Sequence, residues 1–207
     1  KGLDSFAIKM SPGFFDNPKI GLPSTGGLMV LLSSKTGLLE AVLLDKGYLT
    51  DIRTALAGAI SVKYLAKKTI SSVGIIGAGA QAKLQLEALM LVRKPEELRI
   101  WSRDLNKVKN YIVGVNKKFD IQILIAKNPQ ELVENSDVVI TTTPSTTPLI
   151  KSEWLQPGLH ITAMGSDAEH KNEIDPKIIK KADMYVCDSQ SQTAILGELH
   201  HAIKAGI

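Results

Sequence analysis

The sequence contains a single cysteine among 207 residues, and only 5% of its residues are aromatic. That cysteine, Cys187, excludes an internal disulfide bond, and its apolar surroundings are typical of a buried strand position. No apolar run approaches the roughly 18 residues of a membrane-spanning helix, and no signal peptide opens the chain. We therefore expect a protein of the reducing cytoplasm that has no membrane partner.

A strongly basic surface is also lacking. The net charge is +4, and lysines and arginines are interleaved with acidic residues, without a basic stripe or neighbouring aromatic residues. This pattern is typical of solvated faces and argues against a nucleic-acid partner. His200 and His201 have no cysteine or histidine at metal-ligand spacing, so we predict that they are structural or surface residues and that the chain binds no metal.

Hydrophobic residues, in contrast, make up 44% of the sequence, which is enough to bury a core in one large or two small domains. No internal repeat or low-complexity tract interrupts the chain. Because the first residue is Lys1 rather than Met, and the last, Ile207, follows a predicted helix end, we expect the chain to be part of a longer protein. Segments outside it are then expected to complete the active site.

The central motif is an apolar run that breaks into glycines and continues as a predicted helix. Gly77, Gly79 and Ala82 occupy the small-residue positions of the pattern G-x-G-x-x-G/A, directly after a buried strand. These glycines allow a tight turn and a close approach of backbone to a pyrophosphate, which the helix N-terminus attracts. The motif predicts dinucleotide contacts at Gly77, Ala78, Gly79, Ala80 and Gln81. The alternative is a turn that needs glycine for its geometry alone.

Upstream of this motif, the sequence predicts antiparallel structure. Residues 5–10 are compatible with a short strand, and two apolar runs flank a turn at residues 34–37, which predicts a β-hairpin. A helix then follows, with Thr50 as its predicted cap and an end near Lys68.

Downstream, short apolar strands alternate with helices, a pattern typical of βαβ units. It predicts an α/β fold with a Rossmann-type, doubly wound parallel sheet of six strands, near residues 73, 98, 121, 138, 159 and 184. We expect a partial α+β substrate-binding and dimerisation domain at residues 1–68 and a nucleotide-binding domain at 69–190. A helix at 191–207 is expected to return toward the first domain.

The end of the second strand of the nucleotide domain bears on the choice of cofactor. The acid that usually binds the ribose hydroxyls is expected there, and the sequence holds Ser102, Arg103 and Asp104. A guanidinium pairs with a 2′-phosphate in a bidentate manner, so Ser102 and Arg103 favour NADP(H) over NAD(H). Asp104 leaves two alternatives open, namely binding of NAD(H) or capping of the next helix.

Three further positions each allow a functional and a structural interpretation. Thr142 and Thr143 follow the fourth strand, where their hydroxyls either contact the cofactor or serve the strand. Asp167 follows the fifth strand and is either a proton-transferring carboxylate or a turn-forming residue. Arg53, at the third position of the predicted helix, is either an anion-binding arginine or a surface residue.

Several segments together resemble the ornithine cyclodeaminase and mu-crystallin family, which includes archaeal-type alanine dehydrogenases and ketimine reductases. The resemblance covers nearly the whole chain and is carried by Gly21–Pro23 with Thr36 and Gly37, Leu49–Thr54, Gly77–Gln81, and Gly165–Asp167. Within the family, residues 166–174 and 196–202 are most similar to the branch named for ectoine utilisation.

The resemblance implies roles that spacing alone does not. Arg53 matches the arginine that binds the substrate α-carboxylate, Lys9 matches the lysine that contacts the substrate and donates a proton, and Asp167 matches the catalytic aspartate. It also implies hydride transfer between the substrate α-carbon and NAD or NADP, and a homodimer whose sheet includes the hairpin at 28–44. Family members are longer at both ends, with a further carboxylate-binding arginine upstream of the position of Lys9.

Three functions remain open at this point. The first is an NAD(P)-dependent oxidoreductase or deaminase for a small α-amino or α-imino acid, of the amino-acid dehydrogenase or ketimine reductase type. The second is an ornithine cyclodeaminase that keeps NAD bound and recycles the hydride. The third is an NADP-dependent protein that binds a small ligand without turnover, against which the presence of Lys9, Arg53 and Asp167 argues.

Overall fold

The computed structural model describes residues 2–14 and 16–207, and the chain divides into two compact units, Lys1–Arg53 and Thr54–Ile207. The sheet of the first unit is antiparallel, in the order β1 (Ser5–Met10), β2 (Leu28–Ser33) and β3 (Leu39–Leu43). The strands β2 and β3 are the two arms of the predicted hairpin, which is confirmed. A short 3-10 helix, Asn17–Ile20, lies between β1 and β2.

The helix that follows β3, α1 (Tyr48–Leu65), starts and ends earlier than predicted. Thr50 lies within its first turn and does not cap it. Instead the side chain of Asp45 accepts a hydrogen bond from Leu49 N at 2.8 Å, at the position where a cap is needed. Arg53 therefore lies in the second turn of α1, where the unfavourable effect of the helix dipole on a cation is weaker.

The boundary between the two compact units falls after Arg53, inside α1, whereas the sequence predicts a domain boundary after Lys68. Ala55 and Ala59 of α1 pack in one apolar cluster with Ala88, so the later turns of the helix belong to the second unit. The domain limits derived from the sequence, 1–68, 69–190 and 191–207, stay predictions.

The second unit contains a five-stranded parallel sheet, as the sequence predicts for a doubly wound α/β fold. Its strand order is β6-β5-β4-β7-β8. The strands are β4 (Ser72–Ile76), β5 (Glu97–Trp101), β6 (Gln122–Ile125), β7 (Val138–Thr141) and β8 (His160–Ala163). Because the order reverses on either side of β4, the carboxyl ends of β4, β5 and β7 surround the point where such sheets bind ligands.

Six helices accompany the parallel sheet, beside the later turns of α1 and a 3-10 helix at Ser152–Trp154. They are α2 (Ala80–Leu89), α3 (Leu105–Asn116), α4 (Pro129–Glu134), α5 (Lys177–Lys181), α6 (Gln190–Thr193) and α7 (Glu198–Lys204). None of the helices in the described part of the chain is long and apolar enough to cross a membrane.

Apolar clusters cover both faces of the parallel sheet. Val73 and Ile75 of β4 belong to the cluster that includes residues of α2 and α3, whereas Ile76 belongs to the cluster that includes α4 and α5. Successive strand side chains point to opposite faces, so β4 must be apolar throughout to be buried on both sides. All of Val73, Ile75 and Ile76 are fully buried, which fixes the loop that follows β4.

Two predictions for the end of the chain are wrong. The described residues 184–187 form no strand, and Met184, Tyr185 and Val186 are exposed, so the sheet has five strands and Cys187 is not in a buried strand. A short apolar run cannot indicate a strand without a neighbour that pairs with it. The predicted helix at 191–207 is two helices, α6 and α7, because the positive φ of +91° at Gly197 interrupts it.

Candidate functional site

The loop between β4 and α2 has the geometry of a dinucleotide cradle. Gly77 has a φ of +116°, and a Cβ atom there would lie 2.5 Å from Thr142 Oγ1. A Cβ on Gly79 would meet nothing within 4 Å, so the backbone faces open space at this position. Ala82 is fully buried and accepts a hydrogen bond from Tyr111 Oη through its carbonyl, which holds α2 against α3. The three small residues thus serve the turn, the close approach and the helix packing.

The N-terminus of α2 also fits a phosphate group. Its cap residue, Gly79, offers no side chain to the first turn, and α2 carries no acidic residue there. Ten residues of helix direct their dipole toward this end, where an anion is stabilised. The residues present therefore fit a dinucleotide pyrophosphate, which would lie against Gly79, Ala80 and Gln81.

The end of β5 contributes residues beside this cradle, and the role of Asp104 is now visible. Asp104 is the cap of α3, and its Oδ1 accepts hydrogen bonds from Asn106 N at 3.0 Å and Lys107 N at 3.2 Å. Asp104 N in turn donates to Ser102 Oγ at 3.4 Å. Arg103 is exposed. Of the two alternatives for Asp104, the structure shows capping.

The end of β7 is tied to its neighbours by two threonines. Thr142 donates through both its backbone N, at 2.9 Å, and its Oγ1, at 3.3 Å, to Ile76 O at the end of β4. Thr143 donates through its N, at 2.6 Å, and its Oγ1, at 2.8 Å, to Glu173 Oε1. Both hydroxyls therefore have structural partners, and the predicted contacts of Thr142 and Thr143 with a cofactor stay a prediction.

Asp167 lies in the turn after β8, at the same edge of the sheet. Its side chain is 69% exposed and pairs with Lys171, whose side chain is only 6% exposed. A buried ammonium group needs an anionic or hydrogen-bonding partner, so Lys171 orients one oxygen of Asp167 and leaves the rest of the carboxylate accessible. The carboxylate of Asp167 is therefore held at one oxygen and open to solvent at the other, and its predicted catalytic role stays a prediction.

Two buried carboxylates behind this turn were missed by the sequence interpretation. Glu173 is fully buried, and its oxygens accept four hydrogen bonds, from Thr141 Oγ1, Gly165 N, and the N and Oγ1 of Thr143. Glu198 of α7 accepts from the backbone N of Glu173, at 2.8 Å, and of Ile174, at 3.4 Å. For Glu173 the only sequence signal is the polar run at 165–173, which does not distinguish a buried acid from an exposed one.

Burial raises the pKa of Glu173, although four hydrogen bonds oppose the shift. Burial and the nearby charge of Glu173 raise the pKa of Glu198 to about 7. His201 Nε2 lies 2.7 Å from Lys171 O, so this histidine supports the same turn, and the structural role predicted for it is confirmed. Among the described residues, no three His, Cys, Asp or Glu side chains come together as a metal site would require.

The remaining predicted site residues lie in the first unit. Lys9 is on β1, opposite Met29 of β2, and its side chain is exposed. Arg53 is on α1 and is also exposed. Both side chains are accessible, as an interaction with a charged substrate requires. Their predicted roles in substrate binding stay predictions.

The chain is similar to known proteins at three levels, namely a family profile, individual sequences and solved structures. The profile of the ornithine cyclodeaminase/mu-crystallin family matches residues 1–205. A protein of Rhizobium meliloti (strain 1021), named as a dehydrogenase, is 59% identical over 99% of this chain, and an uncharacterized cyclodeaminase of Sinorhizobium fredii is 56% identical over 100% of this chain. The chain spans 62% of the length of each of these relatives.

Solved structures also resemble the chain closely. An archaeal alanine dehydrogenase dimer with bound NAD is 35% identical over 99% of the chain, with a TM-score of 0.90. The Δ1-pyrroline-2-carboxylate reductase of Thermococcus litoralis, in complex with NADH and L-proline, is 32% identical over 97% of the chain, also with a TM-score of 0.90. The chain covers 62% of each of these structures.

Proposed function

Because the chain belongs to the ornithine cyclodeaminase/mu-crystallin family, we propose that the whole protein is an NAD(P)-dependent enzyme that acts on a small α-amino or α-imino acid. The observation that carries this proposal is the cradle after β4, with an accessible carboxylate, Asp167, at the same edge of the parallel sheet. The relatives are named as dehydrogenases, reductases and cyclodeaminases, which supports redox chemistry at an amine carbon.

When bound, the nicotinamide supplies an acceptor or donor for the hydride of the α-carbon. The backbone of the loop from Gly77 to Gln81 would hold the pyrophosphate, and the N-terminus of α2 would stabilise its charge. Arg53 binds the α-carboxylate of the substrate in a bidentate manner and thereby orients the α-carbon. These contacts position the substrate without taking part in proton transfer.

In this proposal, Asp167 and Lys9 carry out the proton transfers. The carboxylate of Asp167 accepts a proton from the amine or from the attacking water, and Lys171 holds one of its oxygens in place. Lys9 contacts the substrate and donates a proton when the reaction runs in the opposite direction. These assignments follow the family resemblance, and the exposure of both side chains supports them.

The choice between net redox chemistry and cyclodeamination belongs to the same proposal. A dehydrogenase or reductase changes the redox state of the nicotinamide in each turnover, whereas a cyclodeaminase returns the hydride and releases ammonia. A lysine cyclodeaminase structure described as recognising L-lysine, L-ornithine and L-2,4-diaminobutyric acid is 28% identical with a TM-score of 0.87, so diamino acids are candidate substrates. A role in ectoine utilisation, to which the resemblance of residues 166–174 and 196–202 points, is part of the same proposal.

The test is an assay of the whole protein with a panel of monoamino acids, diamino acids and cyclic imino acids. Each is supplied with NAD⁺, NADP⁺, NADH or NADPH, while nicotinamide absorbance and ammonia release are followed. A change in absorbance supports the redox enzyme, and ammonia release without it supports the cyclodeaminase. Binding of cofactor without either signal for any compound would contradict catalysis and support the ligand-binding alternative.

The finer cofactor and partner assignments are also part of the proposal. We expect NADP(H) to be preferred, because Asp104 is engaged as the cap of α3 and Arg103 is exposed beside it. The solved relatives named above hold NAD or NADH, so both cofactors must be compared. We also expect a homodimer, since Phe6, Ile8 and Met10 of β1 are about half exposed and such apolar surface favours association. The single cysteine leads us to expect that the protein is cytoplasmic.

A further inference from the structure

The turns after β7 and β8 meet at one buried carboxylate. Glu173 Oε1 accepts from Thr143 N at 2.6 Å and Thr143 Oγ1 at 2.8 Å, and Oε2 accepts from Thr141 Oγ1 at 2.6 Å and Gly165 N at 2.7 Å. Each oxygen thus takes one backbone N–H from a different turn. A single side chain thereby connects the two loops.

This connection requires a carboxylate rather than any polar group of the same shape. A glutamine at this position has one carbonyl oxygen and one NH₂ group, so either Thr143 N or Gly165 N would face a donor. A buried N–H without an acceptor is costly, and the loop that carries it has to move. Replacing Glu173 by glutamine therefore loosens one turn relative to the other without changing the size of the side chain.

The two turns are also in direct contact at Gly165. A Cβ atom there would overlap Thr143 O and would lie 2.7 Å from Glu173 Oε1. No side chain can therefore be inserted between the turns unless their backbones move apart. The backbone at Glu173 is also held in place, because its N and that of Ile174 donate hydrogen bonds to the side chain of Glu198 in α7.

The residues at the free ends of these turns are the ones to which the proposed function assigns chemistry. Thr143 is a predicted cofactor contact, and Asp167 lies two residues beyond Gly165. Lys171, two residues before Glu173, pairs with Asp167. The two ends of the segment from Gly165 to Glu173 are therefore hydrogen-bonded to each other. The exposed carboxylate of Asp167, within this segment, is held in position relative to the end of β7.

We propose that Glu173 is a positioning residue, which holds the turn of Thr143 and the turn of Asp167 in the one arrangement that presents cofactor and proton acceptor to the same substrate. This inference rests on the proposed function. It adds that the relative position of the two turns, and not only the stability of the fold, depends on the Glu173 carboxylate.

The test uses the whole protein with three variants. Glu173→Gln removes one acceptor, and Thr141→Val removes a hydroxyl that contacts Glu173 Oε2 from a fully buried position in β7. Thr162→Val is the matched control, because Thr162 is also buried in the neighbouring strand, but its hydroxyl contacts His160 at 2.9 Å and not Glu173. For each variant, the melting temperature, the Kd for NADH and for NADPH, kcat and KM are measured.

Two further readouts separate positioning from stability. Amide hydrogen exchange at residues 141–145 and 164–168 reports on the two turns directly. We expect Glu173→Gln to raise cofactor Kd and lower kcat by about tenfold each, with faster exchange in both segments, at a temperature at which the variant is fully folded. Thr141→Val should shift the same quantities in the same direction by about two- to fivefold, and Thr162→Val by less than about twofold.

The positioning role is overturned if Glu173→Gln and Thr141→Val lower the melting temperature but leave Kd, kcat and exchange at the level of Thr162→Val. If Glu173→Gln does not fold, Thr141→Val decides the question against the same control. The failure of the proposed function looks different. In that case the wild-type protein itself neither binds a nicotinamide cofactor nor converts any amino or imino acid, and exchange at the two turns in Thr141→Val still tests the structural connection.

Discussion

The two halves of the parallel sheet end in different ways at the carboxyl edge. After β4, the glycine loop presents backbone, with open space in front of Gly79. After β7 and β8, side chains dominate: Glu173 is fully buried with four hydrogen bonds, and Asp167 is 69% exposed with Lys171 beside it. The difference indicates a division of tasks. A half that offers N–H groups and a helix dipole suits the binding of an anion, whereas a half that offers carboxylates suits proton transfer.

The largest effect is expected at Asp167, on the side-chain half. Asp167→Asn keeps the size and one acceptor oxygen but cannot take up a proton, so kcat should fall by about 10²- to 10⁴-fold. Because the asparagine keeps an oxygen that can accept a hydrogen bond from the buried ammonium group of Lys171, the free energy of unfolding should change by no more than about 1–2 kcal/mol. Steady-state kinetics of the whole protein measure kcat, chemical unfolding measures the free energy of unfolding, and cofactor titration measures cofactor affinity.

Glu169→Gln is the matched control for this substitution. Glu169 lies in the same turn and is 71% exposed, and its Oε1 lies 4.0 Å from His200 Nε2, which is beyond hydrogen-bond distance. The proposed role of Asp167 fails if the two variants lose activity to the same extent, or if Asp167→Asn loses cofactor affinity instead of kcat.

The backbone half is tested by two alanine substitutions that differ in the backbone φ they must adopt and in what their Cβ meets. Gly77→Ala imposes a side chain on a φ of +116° and on Thr142, so the free energy of unfolding should fall by about 2–4 kcal/mol and cofactor binding should weaken. Gly79→Ala places its Cβ in open space at a φ of −90°. It should leave stability within about 0.5 kcal/mol while weakening cofactor binding by at least about tenfold.

Chemical unfolding and cofactor titration of both variants check this pair. The cradle interpretation would be wrong if Gly79→Ala bound cofactor as tightly as the wild type. In that case the glycines would serve the geometry of the turn alone.

The same contrast explains what the sequence can and cannot predict. The cradle was predictable because its chemistry is local: Gly77, Gly79 and Ala82 stand at fixed spacing between a buried strand and a helix. The hairpin of β2 and β3 and the parallel order of the sheet follow from local periodicity in the same way. Exposure of Asp167 after β8 also agrees with its place in a polar turn.

The buried carboxylates were not predictable, because burial of a charged residue is decided by distant partners. Glu173 receives its hydrogen bonds from residues 8 to 32 positions away, and Glu198 caps a backbone 24 to 25 positions away. The expected strand at residues 184–187 failed for a related reason. Its apolar character was local, whereas strand formation depends on a neighbour in the sheet.

The pH dependence of stability should report the buried carboxylates of the side-chain half. Burial raises the pKa of Glu198 to about 7 from an ordinary value of 4.5, so between these pH values the folded protein holds a proton that the unfolded chain has lost. The free energy of unfolding therefore falls as the pH rises through this window. His160 acts in the opposite sense, because burial lowers its pKa to about 4 and the unfolded chain binds its proton more tightly.

Comparison of variants isolates the contribution of Glu198. Glu198→Gln should lose less stability than the wild type between pH 5 and pH 8, by about 1–3 kcal/mol. Urea unfolding at both pH values provides the measurement, and Glu153→Gln, at an exposed site, is the control. Identical pH dependence in Glu198→Gln and the wild type would show that the pKa of Glu198 is not raised in the folded protein.

The smallest effect concerns the boundary of the backbone half, where one side chain is proposed to select the cofactor. Arg103→Gln removes a guanidinium that suits a 2′-phosphate, so the affinity for NADPH should fall by about tenfold while that for NADH stays unchanged. Lys107→Gln removes the same charge from the exposed surface of α3 and serves as the control. If both variants weaken NADPH equally, the preference arises from general charge rather than from Arg103. If neither does, the phosphate is bound elsewhere or NAD(H) is the natural cofactor, and Arg103 does not select the cofactor.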